Sequence, residues 1–73
     1  MCLKAYEAYS QYLDFDRYLV LAHSHISAGE CFKGHGEAEG LPRPYRIKRR
    51  PDLDELALEH SNDEQAVFLG RTP

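Results

Sequence analysis

The chain has 73 residues, of which 42% are hydrophobic, including five Tyr and three Phe, and carries a net charge of −3. That length allows one domain, near the size at which a single core barely suffices, and the aromatic content argues against a wholly disordered chain. The longest apolar run, Tyr18 to Ala22, is far short of the roughly 20 residues of a membrane-spanning helix, and no secretory leader is evident, so the expected compartment is the cytoplasm, with Cys2 and Cys31 reduced.

From Leu3 to Leu13 the pattern has a helical period. At about 100° per residue, Ala5, Tyr6, Tyr9, Tyr12 and Leu13 share one face, while Lys4, Glu7 and Gln11 point away. Tyrosines there suit half-buried packing or a partner-binding surface, since rigid rings with a polar tip are favoured at interfaces. Asp14 to Ala28 predicts a second helix, the expected floor of the core, burying Phe15, Tyr18, Leu19, Ala22 and Ile26. Asp14 would be its N-cap and Gly29 its stop. A DNA-reading role for this helix finds little support, because Asp16, Arg17, His23, Ser24 and Ser27 on its outer side are not the set that reads base edges. Residues 29–44, with four glycines and two prolines, read as a loop. Tyr45-Arg46-Ile47-Lys48 alternates apolar and basic, the period of a strand. Pro51 and Asp52 open a short third helix whose inner stripe is Leu53, Leu56, Ala57 and His60, ended by Ser61-Asn62-Asp63. Gln65 to Leu69 is either a second strand or a last helical turn. Residues 1–2 and 70–73 read as loose ends. The expected fold is a single α+β domain over residues 1–73, mostly helical: two N-terminal helices, a loop, a short strand, a third short helix and a second short strand.

Charge is unevenly laid out. Residues 1–40 carry −3, residues 41–50 carry +5 from Arg43, Arg46, Lys48, Arg49 and Arg50, and residues 51–73 carry −5. On a strand, Arg46, Lys48 and Arg50 would point to one side, a row able to meet an acidic protein surface or a few phosphates. The acidic flanks would repel a long duplex, so a nucleic-acid partner would more readily be RNA, touched locally.

Motifs for chemistry are sparse. His23, His25, Cys31 and His35 have zinc-ligand chemistry. On a helix, though, His23 and His25 would stand about 200° apart, and the spacing matches no familiar zinc module. Zinc would bind only if the helix ended near Ala22. Cys31 with His35 lacks evident oxyanion donors, and Gly34-His35-Gly36 lacks the strand-then-helix context of a phosphate loop. The carboxylate pairs Asp14/Asp16 and Asp52/Asp54 look like helix-start charges. No enzyme, cofactor or metal is expected on this reading.

Tyr6, Tyr9 and Tyr12 on one helix, the Arg43–Arg50 strip, and the acidic segment from Asp52 to Glu59 give the chain a recognisable character. It resembles small phage-encoded regulators, above all those that bind host RNA polymerase and alter initiation or termination. The likeness spans the whole chain and rests on no single motif. It implies a non-enzymatic regulator of transcription that docks by electrostatics and aromatic anchors, and that causes inhibition or antitermination, with a local contact to nascent RNA. The partner-binding residues would be Tyr6, Tyr9, Tyr12, Arg43, Arg46, Lys48, Arg49 and Arg50. The competing readings are a zinc-stabilised mini-domain and a direct RNA-binding module.

Overall fold

A β-hairpin forms the centre of the molecule. The computed structural model describes residues 3–60 and 65–72. β1 (Lys4–Ser10) and β2 (Leu13–Ala22) run antiparallel across a turn at Gln11 and Tyr12. β3 (Tyr45–Arg49) pairs with the other side of β1, and β4 (Val67–Arg71) with the other side of β2. The resulting antiparallel sheet has the order β3-β1-β2-β4. α1 (His25–Glu39) packs on one face, and a 3-10 helix (Pro51–His60) packs on the other.

Because successive strand residues point to opposite faces, each central strand feeds two cores. Tyr6, Ala8, Val20 and Ala22 pack against Ala28 and Phe32 of α1, with Tyr18, Tyr45, Ile47 and Phe68 around them. Leu3, Ala5, Leu19 and Leu21 pack on the other face against Ala57, joined by Leu53 and Val67. Rings run through the first core from β3 to β4. Tyr45 meets Phe32 at 5.2 Å, Phe32 meets Tyr18 at 5.7 Å, and Tyr18 meets Phe68 at 5.7 Å.

This architecture overturns the mostly helical expectation. β1 (Lys4–Ser10) and β2 (Leu13–Ala22) occupy the stretches expected as the first helix and most of the second, and Asp14 lies within β2 rather than before a helix. Five of the seven β1 residues are buried, including consecutive positions Ala5 to Ala8. A strand covered on both faces loses the alternation of polarity that betrays a half-exposed strand, and Tyr at positions 6, 9 and 12 mimics a helical repeat by chance. The expected loop is largely α1. Its Ala28, Phe32 and Gly36 recur every fourth residue and form the buried stripe.

Three glycines inside a helix cost about 1 kcal/mol each in propensity, so packing must offset them. At Gly36 the reason is visible: an added Cβ would stand 2.8 Å from Tyr45 Cζ. The missing side chain lets α1 descend onto β3, and the Tyr45 hydroxyl donates to the Leu41 carbonyl at 3.0 Å. Ser24 caps the start, its side chain accepting from the Ser27 N–H. Gly40, at φ 73°, ends the helix in the left-handed conformation, with the Leu41 N–H bonded to the Gly36 carbonyl at 2.9 Å.

The expected strand at 45–48 is present as β3 and the third helix as the 3-10 segment. Residues 65–69 resolve toward the strand alternative, with β4 starting at Val67. Gly70 and Arg71, read as a loose tail, belong to β4, and Thr72 bonds the Arg17 carbonyl through its N–H at 2.9 Å. Ser61-Asn62-Asp63, residues 1–2 and Pro73 lie outside the described residues. The β2–β4 register shifts between Leu19 and Val20, and Gly70 at φ 86° stands opposite Leu19, the geometry of a glycine bulge. Among the described residues no helix is long and apolar enough to cross a membrane.

Gly36→Ala is expected to destabilise the fold by about 1–3 kcal/mol through overpacking against Tyr45, despite alanine's better helix propensity. Gly34→Ala meets nothing within 4 Å and should stabilise it by about 0.5–1 kcal/mol. Urea unfolding of both variants checks the pair.

Candidate docking face

Among the described residues the sheet face opposite α1 is only half covered. Its apolar half, Leu3, Ala5, Leu19 and Leu21, lies under the 3-10 helix. The other half is built across three strands by register: Tyr9 of β1 stands opposite Arg17 of β2 on one side and Arg46 of β3 on the other. One step along, Lys48 stands opposite Glu7. Alternation puts all five side chains on this one face.

Glu7 marks the border between the halves. Its side chain is only 4% exposed, and a buried carboxylate must be paired. Arg17 Nη1 donates to Oε1 at 2.5 Å and Arg50 Nη1 donates to Oε2. The Arg17 guanidinium also lies 4.4 Å over the Tyr9 ring, a cation–π contact that fixes both side chains. Arg46 is held by two bonds to Gln11 Oε1, at 3.2 and 2.9 Å. The open half is therefore a preset row, Arg46–Tyr9–Arg17, with Lys48 beside it.

The structure separates the residues that the sequence groups together. Arg46 and Lys48 are exposed on the same side of β3, as expected. Arg43 pairs with Glu37 of α1. Arg49 makes a two-pronged pair with Asp54, both bonds 2.6 Å, and also donates to the Ala5 carbonyl at 3.0 Å. Arg50 grips Asp52 at 3.0 and 2.8 Å in addition to Glu7. These three arginines brace the fold. The three tyrosines do not form one face. Tyr6 is buried under α1, edge-on to His25, with Arg49 5.5 Å from its ring. Tyr9 lies on the opposite face, and Tyr12 is 68% exposed in the hairpin turn. Beyond that turn Phe15 is 77% exposed. Arg17 and Glu7, both overlooked in the sequence, complete the row. The signal that could have found them is the pairing of Glu7 and Tyr9 with Arg17 across a hairpin.

The histidines and Cys31 spread out. His23 lies in the bend after β2, His25 opens α1 against Tyr6, and His35 stacks on Phe68 at 4.0 Å. Cys31 is half-buried in α1, and burial pushes its thiol up, which makes it a poor nucleophile at neutral pH. Among the described residues no three His, Cys, Asp or Glu side chains converge as metal ligands would.

Asp54 and Asp52 anchor the 3-10 helix beside the open row. The 3-10 repeat of three stacks Asp54, Ala57 and His60 on one line. Ala57 is buried, and Asp54 Oδ1 accepts the Ala5 N–H at 2.8 Å. Hydrogen bonding from Arg49 holds the Asp54 carboxyl below the usual carboxylate range, and Arg50 does the same for Asp52. No protein family, curated protein or solved structure matches the chain.

Two measurements check this arrangement. Glu7→Ala, which strips two arginines of a buried acceptor, should cost about 2 kcal/mol in unfolding free energy. The Asp54 pair is an acid-sensitive element. The unfolded chain takes up the Asp54 proton near pH 3.9 and the folded chain lower, so its contribution is intact above about pH 4 and lost as pH falls through the folded value. Asp54→Asn should be less stable than the parent at pH 7 and should lose less stability between pH 4 and 2, read from urea midpoints across pH.

Proposed function

We propose that the chain is a non-enzymatic cytoplasmic regulator that docks, through the Arg46–Tyr9–Arg17 row and Lys48, onto an acidic protein surface of the transcription machinery. Host RNA polymerase is the first partner to test, from the likeness to phage-encoded regulators drawn above. Binding would act by occupation and would change initiation or termination without any cofactor or metal.

The observation that supports this reading is the open row itself, a half-face of fixed cations around one ring that the 3-10 helix leaves uncovered. Held side chains lose little freedom on binding, which favours docking over a loose charge cloud. A protein surface fits this row better than a nucleic acid does. Among the described residues Arg46 and Lys48 are the cations of the row that make no ion pair. Two such groups neutralise two phosphates, a salt slope of roughly −2, whereas a firm duplex binder makes about 6–10 contacts. Any contact with nascent RNA would be a local addition to the protein interface.

The test is capture of bacterial polymerase by the tagged chain from lysate, read by mass spectrometry. Polymerase subunits are expected with the parent chain and at least tenfold less with R46E/K48E. Recovery of no polymerase subunit would remove that partner, and equal recovery by the charge-reversed variant would remove the row as its docking face.

A further inference from the structure

One sheet face carries two unlike halves side by side. The 3-10 helix rises as a ridge, and the row beside it forms a ledge. On the ridge, Glu55 and Glu59 are exposed and Leu58 is 65% exposed. The repeat of three stacks Asp52, Glu55 and Leu58 along one outward line, away from the buried Ala57. Among the described residues Glu55 and Glu59 make no ion pair. The ridge is thus acidic with a leucine at its crest, and the ledge is cationic with a half-exposed tyrosine at its centre.

We propose that the chain self-associates through this face, as a two-fold dimer in which each copy's ridge sits on the other's ledge. A two-fold axis lying between two facing sheets and running across the strands exchanges the ends of each face. The ridge of one copy then lands on the ledge of its partner, and the reverse contact follows by symmetry. Glu55 and Glu59 meet Arg46 and Lys48 twice over, and Leu58 meets Tyr9. Opposite charge on two adjacent halves of one face calls for a second copy of the chain as the occupant. In such a dimer the exposed Leu58, flanked by Glu55 and Glu59, would be covered by the ledge of the partner copy. A contact that rests on a few solvent-facing ion pairs makes a weak dimer that salt dissociates. The inference goes beyond the transcription reading and does not depend on the identity of any external partner. Both use the ledge, so the dimer and an acidic partner exclude each other.

Sedimentation of the purified full chain at low ionic strength tests it, over a concentration series reaching about 1 mM, where a dimer with a Kd of about 1 mM still registers. A monomer–dimer equilibrium is expected, shifted toward monomer by added salt. R46E/K48E and E55K/E59K should each weaken it at least tenfold while keeping the parent's circular dichroism. Mixing the two variants should restore a 1:1 dimer, because each then offers the other complementary halves, and the fourfold variant should dimerise with itself. A monomeric parent over the whole range overturns the proposal. So does a dimer indifferent to both charge reversals, or a mixture of folded variants that stays monomeric. Failure of polymerase capture would leave these results untouched, and the reverse holds.

Discussion

A carboxylate taken out of water at the middle of the sheet organises much of this molecule. Glu7 is buried on a central strand, so its charge has to be met from both flanks. Arg17 reaches it from β2, and Arg50 reaches it from the chain just after β3. That demand fixes where β3 must end, because the Arg50 N–H bonds the Ala5 carbonyl while its side chain spans to Glu7 and Asp52. The 3-10 helix then starts at once, and Asp54 closes it onto the β1 backbone. One buried negative charge thereby sets the boundary between the covered and uncovered halves of the face.

The same logic explains why five basic residues in a row of eight do not act as one patch. A strand gives only every second residue to a face. Acidic groups placed close along the chain or across α1 take the rest: Glu37 takes Arg43, Asp54 takes Arg49, and Asp52 takes Arg50. Charge counted along a sequence overstates charge available at a surface. What remains outward is a smaller feature with defined geometry, and it draws on a residue from β2 that the linear strip does not contain.

How much could be read in advance follows from how many faces each element buries. β3 is an edge strand with one face against α1, so Tyr45 and Ile47 alternate plainly with Arg46 and Lys48. The segment after Pro51 carries its acids at the start and its alanine inward, and it was legible as a helix, though not as one with a repeat of three. Most of β1 and the second half of β2 are covered above and below, and apolar runs such as Leu19 to Ala22 erase the period that would have named them. The turn between them holds no glycine, so the usual hairpin sign was missing as well. α1 was hidden by Gly29, Gly34 and Gly36, and Gly36 is there because a tyrosine ring lies against it. Of the docking face, Arg46 and Lys48 were legible from alternation. The roles of Arg17 and Glu7 depend on strand pairing, which no local pattern encodes.

The two rims of the sheet are defended by different means. Along β3, prolines just outside both ends keep the rim short and its outward side chains are cationic, so a foreign strand would find little to pair with and meet repulsion. β4 has the apolar sequence Val67-Phe68-Leu69 and lacks that armour. Its protection is the kink at Gly70, which breaks the even spacing of hydrogen-bonding groups and turns the rim away from a straight template. A glycine bulge near the end of a small sheet therefore keeps an apolar edge strand from recruiting copies of itself.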